Sequence, residues 1–189
     1  MKTKNLLLSV ILILSISGFS QEHLKFKNIP IDGNINDFAN ELVKQGFVIA
    51  SSEGSHLILK GEFINKNCEI YVLGSKKTNI IWKVFVMLPI ETSWSTIKSN
   101  YFEIKNQFQL KYNTGKSYEF FTKPYFEGDG YEMQAIGADK CTYSTFWKPE
   151  FGHITLSIET LKRICIGYQD GINGDINIAE EKEVISKDI

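Results

Sequence analysis

Nowhere does this chain concentrate basic residues. Lysine and arginine number 21 against 22 aspartates and glutamates, a net charge of −1. Nucleic-acid binding draws on clustered Lys and Arg set against phosphates, so that class is set aside. Lys76-Lys77 reads as a solvated turn. Cysteine is scarce and late, with three in all and Cys68 the first. A lipid anchor of the bacterial type needs Cys at the cleavage point, and none stands near the start. No His-x-x-x-His or Cys-x-x-Cys pattern supports a zinc site among His23, His56 and His153. No serine lies in a Gly-x-Ser-x-Gly elbow. Long apolar runs are missing after residue 20, so no membrane span of about 20 residues is expected.

What the chain does have begins at its start. Lys2 and Lys4 precede an apolar run from Leu6 to Ile16, and Gly18 and Ser20 precede Gln21. A basic head, about 7–15 apolar residues and a small-residue cut make a secretory signal peptide. The expectation is a signal over 1–20 and one globular unit over 21–189, exported to the periplasm or cell exterior. Its 43% hydrophobic and 13% aromatic content suits a packed core. An oxidising compartment permits one disulfide, and the odd count leaves a thiol. Cys68 alternates with Ile70 and Val72 and is expected to face the core. Cys141 and Cys165 fall on strands two apart, about 9.6 Å, too far to bridge without distortion.

Period-2 and period-3.6 patterns alternate along the chain. His23 to Ile31 reads as a half-buried strand, ended by Pro30 and Asp32-Gly33. Asn34 then caps a helix over 35–45, with Ile35, Phe38, Leu42 and Val43 on one face and Gly46 as its stop. Four strand signals follow: Phe47–Ala50, His56–Phe63, Cys68–Leu73 and Ile80–Leu88. Their short polar separators argue an antiparallel meander. Thr92 or Ser93 caps a longer helix whose stripe is Trp94, Ile97, Tyr101, Ile104 and Phe108. Ser117–Phe121 is a strand, Thr122 to Asp139 is irregular, and Cys141–Trp147, His153–Glu159 and Arg163–Gln169 are three more strands. Asp175 caps a last short helix through Ser186. The fold class is α+β: two similar units, 34–89 and 92–170, each an amphipathic helix on a four-stranded antiparallel meander, plus a short C-terminal helix. The alternative is one larger antiparallel sheet with both helices on one face.

Two motif fragments fail on spacing. Gly115-Lys116-Ser117 lacks the glycine a phosphate loop needs at 110, where Leu110 lies in a helix. Asp170 to Asn177 resembles a calcium loop, but Ile178 and Val184 replace the required Gly and Glu, and a helix-initiating turn fits better. Glu127, Asp129 and Glu132 share one loop, which reads as solvated and otherwise offers oxygen ligands or acid–base groups. The same loop carries Tyr125, Phe126 and Tyr131 in a glycine-flexed segment. Exposed loop aromatics serve recognition, and these three are the candidate binding residues. Folding back to plug the sheet edge is the competing reading.

The run from His23 to Gly33, the Trp94-Ser95 helix ending in Lys111 to Lys116, and Asp170 to Gly174 resemble segments of small, uncharacterised secreted proteins of Bacteroidota. Ser117 stands where a proline often follows the Gly-Lys of those proteins. In element order the chain also resembles the tandem helix-plus-sheet layout of beta-lactamase inhibitor proteins, a likeness of fold alone. Neither resemblance transfers a catalytic residue, metal or cofactor. The expected role is non-catalytic: binding a protein or envelope component through a sheet face or the Pro124–Tyr131 loop. The alternatives are a hydrolase with a non-local site near His153 or Glu127–Glu132, and a small-molecule carrier with a pocket between helix and sheet.

Overall fold

The computed structural model describes residues 22–188, with side chains through 186. The expected signal peptide over 1–20, with its expected cut before Gln21, lies outside the described residues. A small hairpin comes first. β1 (Lys25–Phe26) pairs antiparallel with β2 (Ile29–Pro30). The single strand expected here is thus broken in two, because Lys27 and Asn28 turn the chain with φ of 49° and 66°. Two consecutive left-handed residues make the tight turn whose twist suits a two-residue hairpin.

Helix α1 (Ile35–Lys44) starts where expected. The Asn34 side chain accepts the Asn36 N–H, Asp37 lies in the first turn and Lys44 in the last, each matching the helix dipole. Ile35, Phe38, Ala39 and Leu42 are buried, whereas Val43 is exposed. Gly46, with φ of 93°, ends the turn. Then come β3 (Val48–Glu53), β4 (His56–Phe63), β5 (Lys66–Gly74) and β6 (Ile81–Ile90).

Helix α2 (Trp94–Tyr112) buries Ile97, Tyr101, Ile104 and Phe108, the stripe its 3.6 periodicity demands. Ser93 holds the cap position but makes no side-chain cap bond; its hydroxyl meets Ser95 instead. Strand β7 (Lys116–Phe121) follows, then a loop. Part of the segment expected to be irregular is helix α3 (Glu132–Gly137), which buries Ala135 and Ile136. Strands β8 (Cys141–Trp147), β9 (Gly152–Glu159) and β10 (Arg163–Asp170) complete the set. Helix α4 (Gly171–Asp188) begins four residues before the expected Asp175. Asp170 caps it, its Oδ1 accepting the Asn173 N–H at 2.9 Å.

The eight long strands form one sheet in the order β3-β4-β5-β6-β10-β9-β8-β7, antiparallel throughout. The fold is α+β, with this large sheet, the small hairpin and four helices. Side chains alternate between faces along each strand. The ladder therefore places Leu57, Val72, Val84, Tyr168, Ile154 and Trp147 in one row on one face. All six are buried, with α1 and α2 over this face in a single core cluster. The adjacent residues Ile58, Tyr71, Phe85, Gly167, Thr155 and Phe146 form the matching row on the other face. The three cysteines are buried and free, Cys68 facing the core as expected.

Candidate binding face

The face opposite α1 and α2 carries a band of large apolar and aromatic side chains between its charged residues. Tyr71, Phe85 and Met87 are half-buried on its central strands, and Phe146, Tyr118 and Phe120 are 45%, 40% and 49% exposed towards the β7 edge. A Cβ on Gly167 would stand 2.6 Å from Thr155 Oγ1 and 3.3 Å from Phe85 Cε1. Phe85 therefore lies across bare backbone in mid-sheet.

Lys83 is the central cation. Its Nζ lies 4.5 Å from the Phe85 ring centre and 5.4 Å from that of Trp82, within reach of cation–π attraction. Among the described residues no carboxylate pairs with it. Burial pushes its pKa below the ordinary lysine value, and the nearby Cys165 thiol partly opposes that. No ion pair among the described residues offsets the partial desolvation; the Phe85 and Trp82 rings do so only in part.

One row towards β3, charges are shared unequally. Arg163 donates through both Nη atoms to Glu69 Oε2 at 3.3 Å and through Nε to the Leu88 carbonyl at 2.8 Å. Lys60 stands 3.6 Å from the other Glu69 oxygen, and the Tyr71 hydroxyl donates to Glu69 at 3.4 Å. Two cations share the Glu69 carboxylate, and Glu159 stands opposite Arg163 in the ladder, so this corner is a network of mixed charge. Burial, and then Glu69, raise the Tyr71 phenol above its usual range. Burial likewise lifts the Cys165 thiol to about 12, which removes it as a nucleophile. At this corner a hollow of about 600 Å³ is lined by Val48, Cys68, Met87, Pro89, Ile90 and Arg163, among others.

The residues singled out from sequence sit on the other side. Tyr125 packs against the core, while Phe126 and Tyr131 are 63% and 55% exposed. Asp129 draws these last two together by accepting the N–H of each, at 3.0 and 2.7 Å. Glu127 pairs with Lys98 of α2 and accepts the Tyr143 hydroxyl, which seats the loop against α2. Lys98 chiefly accounts for the depressed Glu127 pKa. Glu132 accepts the Gly128 N–H. Each of the three loop carboxylates is thus engaged within its own neighbourhood. Among the described residues no group of three His, Cys, Asp or Glu is placed to hold a metal ion. His153 is exposed on β9, on the open face and away from this loop.

Sequence reasoning missed a second histidine site. His23 Nδ1 lies 3.1 Å from the fully buried Asp170, and its Nε2 lies 3.6 Å from Asp32. Asp170 also accepts the Leu24 N–H at 2.8 Å. Asn173 bonds the Ile31 and Ile81 carbonyls. Among the described residues no hydroxyl or thiol hydrogen-bonds His23, and this cluster clasps the N-terminal segment to the β10–α4 junction. No helix among the described residues is long and apolar enough to cross a membrane.

Comparison of the chain with protein-family models, with curated proteins and with solved structures finds no match.

Proposed function

We propose that the protein is a non-catalytic binding protein, exported to the periplasm or cell exterior. Its open sheet face docks a partner protein that presents a carboxylate flanked by apolar groups. The observation that carries this is Lys83, a desolvated cation without a carboxylate, set among Phe85, Tyr71 and Met87. Interfaces favour aromatic, Met and Arg anchors at their centre, with few other charges. Lys83, which has no carboxylate partner among the described residues, favours an acidic group on the partner. The same reading keeps two like units, 34–89 and 92–170, each giving four strands to a shared docking face.

Phe126 and Tyr131 remain a second candidate contact, because they are large, exposed and held side by side by Asp129.

The test is capture from native envelope extract by the intact protein, by Lys83→Glu, and by Phe126→Ala/Tyr131→Ala, with mass spectrometry of what each retains. A partner held by the parent and lost to Lys83→Glu, with circular dichroism unchanged, supports the sheet face. Loss only with the loop variant moves the contact to Phe126 and Tyr131. Equal retention by all three contradicts both placements.

A further inference from the structure

On the helix side of the sheet, away from the face above, lies a cavity of about 360 Å³. Its walls are the β1–β2 hairpin and the C-terminal end of α2, and its floor is Phe63 of β4 and Tyr168 of β10. The lining contains three lysines, Lys25, Lys27 and Lys111, and no carboxylate. Among the described residues none of the three takes part in an ion pair. Three unmatched cations around one small cavity raise the local concentration of anions.

The second observation is independent of charge. Tyr168, 4% exposed overall, lines the cavity. No protein group among the described residues bonds its hydroxyl, so this O–H is free to donate to a molecule in the cavity. Burial, with Tyr112 adding to it, raises the Tyr168 phenol above its ordinary range, so it stays an O–H donor. The remaining walls are aromatic. The Phe108 ring centre is 5.8 Å from Tyr112 and 6.3 Å from Tyr168.

From these features we infer that the cavity binds a small organic anion, an aromatic ring carrying one carboxylate or phosphate group. Lys25, Lys27 and Lys111 surround the anionic group. Tyr168 donates its hydroxyl to it, and Phe63, Phe108 and Tyr112 enclose the ring. A cavity of this size, at the small end of the ligand-pocket range, suits one ring system with one substituent. The site shares no residue with the sheet face described above, and stands or falls separately from it.

Phenyl phosphate, benzoate, benzamide and inorganic phosphate are the probes, titrated into the intact protein at low salt and followed by amide NMR shifts. Phenyl phosphate or benzoate is expected to saturate below about 10 mM and to shift Lys27, Asn28, Lys111 and Tyr112. Benzamide, neutral and of the same shape, should bind at least tenfold more weakly. Tyr168→Phe keeps the ring and removes the hydroxyl, and should weaken phenyl phosphate roughly tenfold. Lys27→Gln/Lys111→Gln should do so more strongly. Inorganic phosphate binding as tightly as phenyl phosphate would overturn the aromatic part. No saturable shift with either aromatic anion, or affinity unchanged in both variants, would overturn the site. The unliganded amide spectrum of each variant separates a lost site from a lost fold.

Discussion

The two faces of the same sheet are built from neighbouring residues, yet they differ in kind. Stepping one residue along six strands turns the row Leu57, Val72, Val84, Tyr168, Ile154, Trp147 into Ile58, Tyr71, Phe85, Gly167, Thr155, Phe146. The first row is buried under α1 and α2. The second runs from half-buried at Ile58 to exposed at Phe146, yet it is not the charged row that antiparallel sheets turn to water. One face is filled with branched aliphatics whose removal leaves cavities. The other carries amphipathic rings and a stranded lysine. The difference teaches that the covered face makes the fold, and it is the uncovered face on which the proposed docking rests.

The largest expected effect tests the covered side. Leu59→Ala should lower stability by about 2–5 kcal/mol in urea unfolding, while its neighbour Ile58→Ala on the other face should cost only about 1 kcal/mol. Equal costs would erase the distinction between the faces. Next comes Tyr101→Phe. The Tyr101 hydroxyl is buried between Thr145 at 2.6 Å and Glu119 at 3.3 Å. Removing it should cost about 1–2 kcal/mol and loosen the α2 contact with β8, seen as faster amide exchange at Thr145.

A smaller effect concerns α4, which sits where the two faces meet, with Gly174 against the Gln169 side chain. Burial raises the Glu180 pKa, but bonds from Thr78, the Lys77 N–H and Ser75 outweigh it and hold the carboxyl below its ordinary 4.5. A depressed folded-state pKa gives stability that is present above the ordinary value and lost as pH falls through the folded one. Amide exchange in α4 should therefore rise below about pH 4.5 before the sheet core responds. Glu180→Gln should remove that pH step.

Much of the covered face was legible in the chain. The stripe Ile97, Tyr101, Ile104, Phe108 and the alternation of Cys68, Ile70 and Val72 report burial directly, because water exclusion imposes the period. The pairing of β6 with β10 was not legible. It joins strands about 80 residues apart, and no local pattern encodes which edges meet. The early start of α4 was hidden because its cap, Asp170, belongs by pattern to the strand. The open face was visible only as an oddity: Tyr71, Phe85 and Phe146 occupy positions where period 2 calls for polar residues. Tyr125 was singled out for the same ring chemistry, but the loop packs it inward. The loop is seated by Glu127 against Lys98 and Tyr143, residues distant in sequence. The lysine-lined cavity was beyond reach, since Lys25, Lys111 and Tyr168 converge only in three dimensions.

Lys83 tests the central claim most directly. Burial lowers its pKa in the folded state. The folded protein therefore carries a penalty that is fully present at neutral pH and relieved as pH rises towards the ordinary lysine value. Lys83→Met should remove that penalty and raise stability by about 0.5 kcal/mol at pH 7 in urea unfolding, while abolishing capture of the partner by the open face. A protein that becomes more stable and binds less has kept its lysine for binding. Lower stability, or capture unchanged beside the parent, would contradict a docking role for this face.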